Sequence, residues 1–588
     1  MKLRSILLLA TGMLGALGPA SAAYAGDART YFTARVAASS TSRQLAGDEA
    51  AYYGAIFRAI ETQQWALADQ LLNERPRGLL HDFARAQLNL APDSPRVELP
   101  QIEEWLRTGR MLPQAEQMAR LALVRGATQT QALPTRHDLY PRSAVSKRVR
   151  PASVEDGTMP AELRQAILER ITNDDPDGAR LLLDGIDAGL SGGARAEWRQ
   201  RIAWSYYIEN MDRQALAMAR SVGEGSGAWV AEGDWVAGLA AWRLSDCAGA
   251  RDSFERSAYG AVNPELRAAA LYWGARAALR CRQPELANRM LTDAAFNDQS
   301  LYGMLAVEQL GRDLPPQLAK ADLSAEDWQR LSAHENVRIA VALAEIGQDE
   351  LASQALLHQA RIGDPADYAC LSRLARELGL PSTQLYMAHN APNGGAADPA
   401  SYYPSPRWAP MNGWRVDPAL AFAHTLQESN FRASAVSQAD ARGLMQITPI
   451  TVRHHAPRLS MNASQVDIFD PRVNLAFGQQ NLEMLRDSPV TGGRLPKIMA
   501  AYNAGLSPVT RWNSEVRDQN DPLLYMESIP YWETRSYVAI VMRNYWMYER
   551  QADADSSSRV ALAQNAWPTF PGAAAPAEGR VYLSAGAH

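Results

Sequence analysis

The sequence predicts a mainly α protein, built for most of its length as an irregular superhelix of stacked helical pairs. Two observations carry that expectation. From about residue 27 to 385 the chain is dominated by Ala, Leu, Arg, Gln and Glu, all good helix formers, and no stretch alternates as a half-buried strand would. Several segments also resemble one another. Residues 204–222 read WSYYIENMDRQALAMARSV, 238–258 read GLAAWRLSDCAGARDSFERSA, and 274–294 read GARAALRCRQPELANRMLTDA. Residues 341–360 (VALAEIGQDELASQALLHQA) and 53–72 (YGAIFRAIETQQWALADQLL) follow the same habit. Each is an apolar helix, a short polar turn and an Ala-rich helix. Gly238 and Gly274 stand 36 residues apart, close to the period of helix-turn-helix solenoids. Such a unit buries one face only, so its core is completed by the neighbouring units. The Trp and Tyr residues here are assigned to that core.

A chain of 588 residues is too long for one core, and two or three domains are expected. Residues 134–160 are Pro-rich and polar and read as a long loop, with Lys147, Arg148, Val149 and Arg150 as a solvated basic run. Residues 389–407 (HNAPNGGAADPASYYPSPR) read as a linker, and the Ala-, Ser- and Pro-rich tail 553–588 as partly disordered. The superhelix is thereby bounded at 26–388 and a further domain at 408–552.

The first 25 residues read as a secretory signal peptide: a basic start (Lys2, Arg4), an apolar stretch 6–17 too short to span a bilayer, and A-x-A sites ending at Ala22 and Ala25. No cysteine follows the cut, so no lipid anchor is expected, and no later run is long enough to cross a membrane. An exported, periplasmic protein follows. A net charge of -5 and a pI near 6.1 give no basic footprint for nucleic acid. The three cysteines exclude a fully paired framework. Cys247 and Cys281 occupy similar places in neighbouring units, and both a bridge and two buried apolar residues remain open readings. No metal-ligand spacing is present, the pair His454-His455 included, and no metal or organic cofactor is implied.

The chemistry concentrates after the linker. Asp417-Pro418 is a good helix start, an N-cap acid followed by Pro at the first helical position. Leu420, Ala423 and Leu426 share one face of the helix, and Glu428 lies at its end in TLQESNF. The macrodipole disfavours a carboxylate at a helix C-terminus, and apolar surroundings raise its pKa further. A protonated glutamate is what a general acid needs at neutral pH. An exposed helix-end acid is the alternative on helix logic alone.

Three further blocks decide between them: QADARGLMQITP at 438–449, KIMAAYNAG at 497–505 and ESIPYWETRSYV at 527–538. With Glu428-Ser429 they resemble, in order and over about 130 residues, the signature blocks of the soluble lytic transglycosylases, whose catalytic domain is similar to goose-type lysozyme. The upstream LYGMLA at 301–306 is also similar. The resemblance implies a ring- or horseshoe-shaped superhelix followed by a helical lysozyme-like domain. It implies cleavage of the β-1,4 bond between N-acetylmuramic acid and N-acetylglucosamine without water. Glu428 would protonate the leaving oxygen and then deprotonate the C6 hydroxyl of the same muramic acid, closing a 1,6-anhydro ring. One carboxyl then suffices, because the substrate supplies both its own stabilising carbonyl and the attacking hydroxyl. Penicillin-binding synthases and other wall enzymes are the partners that family analogy suggests.

The same resemblance assigns Ser437 a place near the glutamate, Gln446 a hydrogen bond to the acetamido sugar, Tyr502 the task of holding the carboxyl, with Asn503 beside it, and Glu533 a position facing the cleft near the peptide stems. Arg535 is assigned to a structural ion pair. Gly443 is expected to permit a turn that a Cβ would crowd, and Gly505 to cap a helix starting at Pro496. Three positions depart from the family pattern. Asp440 replaces a common Gly, Leu506-Ser507 follow AYNAG where a Gly is usual, and Asn481 stands where a pocket-lining Tyr is frequent, which weakens the expected support of Glu428. Asp440, Asp467, Asp470 and Glu533 are the candidates for a second acid. The competing functions are a hydrolytic muramidase and a catalytically idle cell-wall-binding scaffold.

Overall fold

The computed structural model describes residues 28–34, 41–142, 145–315 and 322–572. The signal-peptide reading therefore lies outside the described residues. Among them, the named strands are one antiparallel pair, Tyr140–Pro141 with Asn390–Ala391, and nearly all other regular structure is helical.

Every repeat read from the sequence is a helical hairpin. The pairs are Gly47–Glu61 with Trp65–Glu74, Gly192–Ile208 with Asp212–Ser221, Trp229–Arg243 with Cys247–Gly260, Pro264–Arg280 with Pro284–Ala295, and Glu335–Glu345 with Asp349–Ile362. One three-residue turn joins them all. Its middle residue is left-handed at Gln63, Asn210, Ser245, Arg282 and Gly347, with φ between 57° and 74°. The next N–H then reaches back to the helix it has left, as Asp246 does to Ala241 O (2.9 Å) and Gln283 to Ala278 O (2.9 Å). This is the Schellman closure of a helix end, which satisfies carbonyls that would otherwise be orphaned. The two helices of a hairpin approach closely where glycine permits: a Cβ on Gly238 would strike the Phe254 ring, and one on Gly274 would strike Met290. Cys247, which starts the second helix of one hairpin, and Cys281, in the turn of the next, form a disulfide.

The superhelix does not have one continuous core. The helices between Gly47 and Val124 share a core with those between Ala325 and His389, including Phe57, Trp105, Leu343 and Leu374. Hydrogen bonds join the two sets, with Gln44 N to Glu345 (2.7 Å) and Asn336 Nδ2 to Met111 O (2.9 Å), so the start of the superhelix meets its last third. The intervening helices, Ala161–Thr172 to Leu301–Gln309, instead share a core with residues 416–570. Tyr302 Oη to Glu527 (2.6 Å), Arg276 to Asp521 (2.6 Å) and Arg550 to Asp298 (3.0 Å) bind these two parts together.

Three expectations need correction. The tail is ordered as far as residue 572: Ser557–Ala563 is a helix against Leu301–Gln309, and Phe570 is buried. Its apolar residues, sparse in composition, have a core to enter; residues 573–588 lie outside the described ones. The linker 389–407 is not a free tether, since Asn390–Ala391 pairs with a strand and Tyr403 is buried. The basic run is solvated only in part. Lys147, Val149 and Arg150 are exposed, but Arg148 turns inward to pair with the buried Glu232 at 2.7 Å.

Candidate active site

The helix Pro418–Ser429 begins as its sequence predicts. Asp417 accepts from Ala419 N (2.9 Å), with Pro at the first position, and Tyr545 donates to its other oxygen (2.8 Å). The helix ends at Asn430 and Phe431, both left-handed (φ 51° and 60°). Leu420, Ala423 and Leu426 are buried, while Glu428 keeps partial exposure at the last turn.

The block after the glutamate is a tightly wound turn held from three directions. Buried Ser429 donates to Leu444 O (2.8 Å). Met445 N donates to Asn474 Oδ1 (2.8 Å), and Tyr502 Oη donates to Met445 O (2.8 Å), so both backbone polar groups of one residue are clamped. Asn474 also donates to Ile468 O (2.8 Å). Gly443, at φ +73°, lies against this asparagine. A Cβ there would collide with Asn474 Nδ2 and come within 2.9 Å of Ile468 O, so the glycine is required both for its backbone and for its space.

Glu428 accepts a hydrogen bond from Tyr537 Oη (2.6 Å), and His424 Nδ1 lies 2.8 Å from the same hydroxyl. Burial pushes the Glu428 carboxyl up to about 7, with the Tyr537 hydrogen bond opposing and the Glu533 charge adding to the rise. His424 is fully buried and neutral, its pKa pushed down to about 3 by the same loss of solvent. With the proton assigned to Nδ1, the imidazole donates to Tyr537 Oη and leaves that hydroxyl free only to donate to Glu428. The Tyr502 ring packs against His424 with ring centres 4.6 Å apart and planes tilted by 47°.

Against the sequence expectations, Glu428 is central, but its support comes from Tyr537 rather than Tyr502, whose hydroxyl is taken by Met445 O. The two residues missed, Tyr537 and His424, stand four residues after Glu533 and four before Glu428. That is one helical turn along the same face, a spacing that could have found them. Asn481 bonds His455 (3.2 Å). Ser437 is exposed and accepts from Ala441 N (3.0 Å), shaping the turn. Gln446 donates to Gly443 O (2.9 Å) from a left-handed backbone, and its Oε1 has no protein partner among the described residues. Asn503 accepts from Thr534 Oγ1 (2.6 Å), tying the AYNAG helix, Leu495–Ala504, to the helix Trp532–Gln551. Gly505 caps the former, and a new helix begins at once at Leu506, which accounts for the missing second Gly.

Of the candidate second acids, Asp440 pairs with Arg442 (2.7 Å), Asp470 caps the helix Pro471–Asp487, and Asp467 accepts from Phe469 N (3.0 Å). Only Glu533, exposed in the first turn of Trp532–Gln551, acts on Glu428. Arg535 forms no ion pair among the described residues; it is buried against Trp204 (3.9 Å to the ring centre) and Trp532 (4.9 Å). Trp204 is half-buried there and faces a cavity, not only the core.

A superhelix of helical pairs joined to a lysozyme-like helical domain with an accessible, tyrosine-supported glutamate defines the class. Residues 408–524 match the family described as "Transglycosylase SLT domain". The 70-kDa soluble lytic transglycosylase of Escherichia coli has the same fold, with TM-score 0.51 at 14% identity over 89% of this chain and 99% of that one. A complex of the 70-kDa soluble lytic transglycosylase with bulgecin A gives TM-score 0.58 at 16% identity, covering 90% and 100%. In sequence, a Haemophilus influenzae protein named among the soluble lytic murein transglycosylases is 27% identical over 47% of this chain and 46% of its own length. The Escherichia coli (strain K12) soluble lytic murein transglycosylase is 32% identical over 22% and 20%. The sequence matches thus span half or less of these relatives.

Proposed function

We propose that the protein is a peptidoglycan lytic transglycosylase that cuts the β-1,4 bond between N-acetylmuramic acid and N-acetylglucosamine and leaves a 1,6-anhydromuramic acid end. The observation that carries this reading is one accessible carboxyl held near pKa 7 beside a donor tyrosine, while Asp440, Asp467 and Asp470 are engaged elsewhere. Near neutrality such a group is protonated often enough to act as acid and, once deprotonated, basic enough to act as base. In the first step Glu428 gives its proton to the glycosidic oxygen as the C1–O bond breaks. In the second it takes the proton of the C6 hydroxyl as that oxygen bonds to C1. Tyr537, locked as a donor by His424, stabilises the carboxylate between the two steps. Gln446 Oε1 is the free acceptor for an acetamido N–H, and Glu533 borders the cleft. On this reading the catalytic unit is 408–552, the superhelix 26–388 guides the glycan strand, and the chain works in the periplasm. Other wall enzymes are its candidate partners. No helix among the described residues is long and apolar enough to cross a membrane.

The test is mass spectrometry of the products released from isolated peptidoglycan by the wild type and by Glu428→Gln. Anhydro ends, one water lighter than reducing ends, from the wild type alone support the assignment. A second reading, a hydrolytic muramidase, draws on one observation: Glu533 is exposed and close enough to influence Glu428, so it is the group that would activate water. Reducing-end products would favour it.

A further inference from the structure

The helix Trp532–Gln551 serves two sites. Glu533 and Tyr537 belong to the Glu428 cleft, whereas Trp532, Arg535 and Ser536 line a cavity of about 210 Å³ against the superhelix. Glu428, Gln446, Tyr502 and Tyr537 are not part of its lining. Four indoles form much of the wall: Trp204, Trp229, Trp235 and Trp532. Four guanidiniums enter it, those of Arg148, Arg150, Arg201 and Arg535. Two are neutralised, Arg148 by Glu232 (2.7 Å) and Arg201 by Glu197 (2.7 Å).

The other two are not. Among the described residues, no carboxylate lies within ion-pair distance of Arg535 or Arg150. Arg535, 8% exposed, has only two long hydrogen bonds, 3.4 Å each, to the carbonyls of Glu527 and Ile529. Arg150 stands exposed at the rim with its guanidinium 4.4 Å from the Trp532 ring centre. The lining carboxylates are committed: Glu527 to the Tyr302 hydroxyl (2.6 Å), Glu265 to Ser146 (2.8 Å). A desolvated, unpaired guanidinium is costly, and burial pushes Arg535 down to about 9 despite the field of Glu527. An anion in the cavity removes that cost.

The chemistry narrows the anion. A guanidinium fork matches a carboxylate in two-point geometry, and indole walls suit a small aliphatic body. The lining glutamates Glu232, Glu265 and Glu527 repel a dianion such as phosphate more than a monoanion. The volume equals that of about seven waters at ~30 Å³ each, enough for one or two small residues. We propose that this cavity is a second ligand site, separate from the Glu428 cleft, that takes the free carboxylate end of a short peptide. Arg535 and Arg150 grip the carboxylate and the tryptophans enclose the terminal side chains.

The full chain carrying Glu428→Gln, so that nothing turns over, is titrated with alanyl-alanine in carboxylate-free buffer. Tryptophan fluorescence and calorimetry read binding, beside the dipeptide amide, acetate and inorganic phosphate. The expected result is saturable binding of the dipeptide, at least about tenfold weaker for its amide and for the rim variant Arg150→Gln, whose fold is checked by helical circular dichroism. Acetate competing as well as the dipeptide overturns the peptide and leaves a small-carboxylate site. Equal binding of acid and amide, an unchanged Arg150→Gln, phosphate binding better than the dipeptide, or no saturable signal each overturns the carboxylate site. Arg535→Gln extends the test if it folds; Arg150→Gln carries the test alone if it does not.

Discussion

The two faces of the helix Trp532–Gln551 look onto two glutamates that share one feature and differ in everything around it. Glu428 and Glu527 each accept a tyrosine hydroxyl at 2.6 Å, from Tyr537 and Tyr302. Around Glu527 stand Arg148 and Arg535, whose charges interact with it. Around Glu428 the only charge acting among the described residues is another carboxylate, Glu533. The hydrogen bond alone therefore does not make a general acid. What distinguishes Glu428 is burial without a cation, combined with enough exposure for a substrate to reach it. Glu549 supplies the third corner: burial raises it to about 8, but at 3% exposure it can reach no substrate.

The largest expected effect breaks the comparison at its centre. On the proposed mechanism, Glu428→Gln removes the proton donor and acceptor of both steps. Turnover of isolated peptidoglycan should fall by about 10³-fold or more, with helical content and sedimentation with sacculi unchanged. Activity within tenfold of wild type would move the chemistry to another residue.

Next comes the tyrosine. Tyr537→Phe removes the hydrogen bond that holds the Glu428 pKa down, so that pKa rises. A hydrogen bond to a charged group is worth about 1.5–3 kcal/mol, which corresponds to about one to two pH units. Because the acid form starts the reaction, kcat/KM declines on the alkaline side of about pH 7 in the wild type, and this limb should shift upward in the variant. The carboxylate between the two steps is less stabilised, so kcat should fall about tenfold. An unmoved limb with a lower kcat would make Tyr537 a packing residue only.

How much of this was legible in the sequence follows from where the signals were local. The hairpin repeats, the Asp417-Pro418 start, the Gly505 cap and the need for glycine at 443 are written in one or two residues each, and the structure has all of them. The exact turn that builds the repeat was not readable, because Gln63, Asn210, Ser245 and Arg282 take the left-handed position that glycine usually marks, and only Gly347 shows it openly. The inward turn of Arg148 depends on Glu232, 84 residues away, and so escapes any local reading. Tyr537 and His424 were less hidden: each stands one helical turn from a residue already singled out, and what the fold adds is that the two helices bring them together.

A stability prediction separates the superhelix from the cleft. Cys247→Ser with Cys281→Ser opens a link spanning 34 residues, for which the chain-entropy relation gives about 3–4 kcal/mol. The melting temperature should fall while kcat/KM at 25 °C stays within a factor of two. Loss of activity in the folded double variant would show that the superhelix shapes the cleft directly.

The smallest expected effect is the most discriminating. Glu533 raises the Glu428 pKa by like-charge repulsion, so Glu533→Gln lowers it and moves the alkaline limb downward. Glu533 is exposed, so solvent screens the interaction; the shift should be a few tenths of a pH unit and shrink as salt rises. Tyr537→Phe shifts the same limb the opposite way, and the pair of variants brackets Glu428 as the titrating group. The magnitude also decides between the two chemistries. If Glu533 activates water, its loss removes a general base, and product formation should drop by about 10²-fold. If the substrate's own hydroxyl attacks, Glu533 is only a neighbouring charge, and anhydro product should form at nearly the wild-type rate.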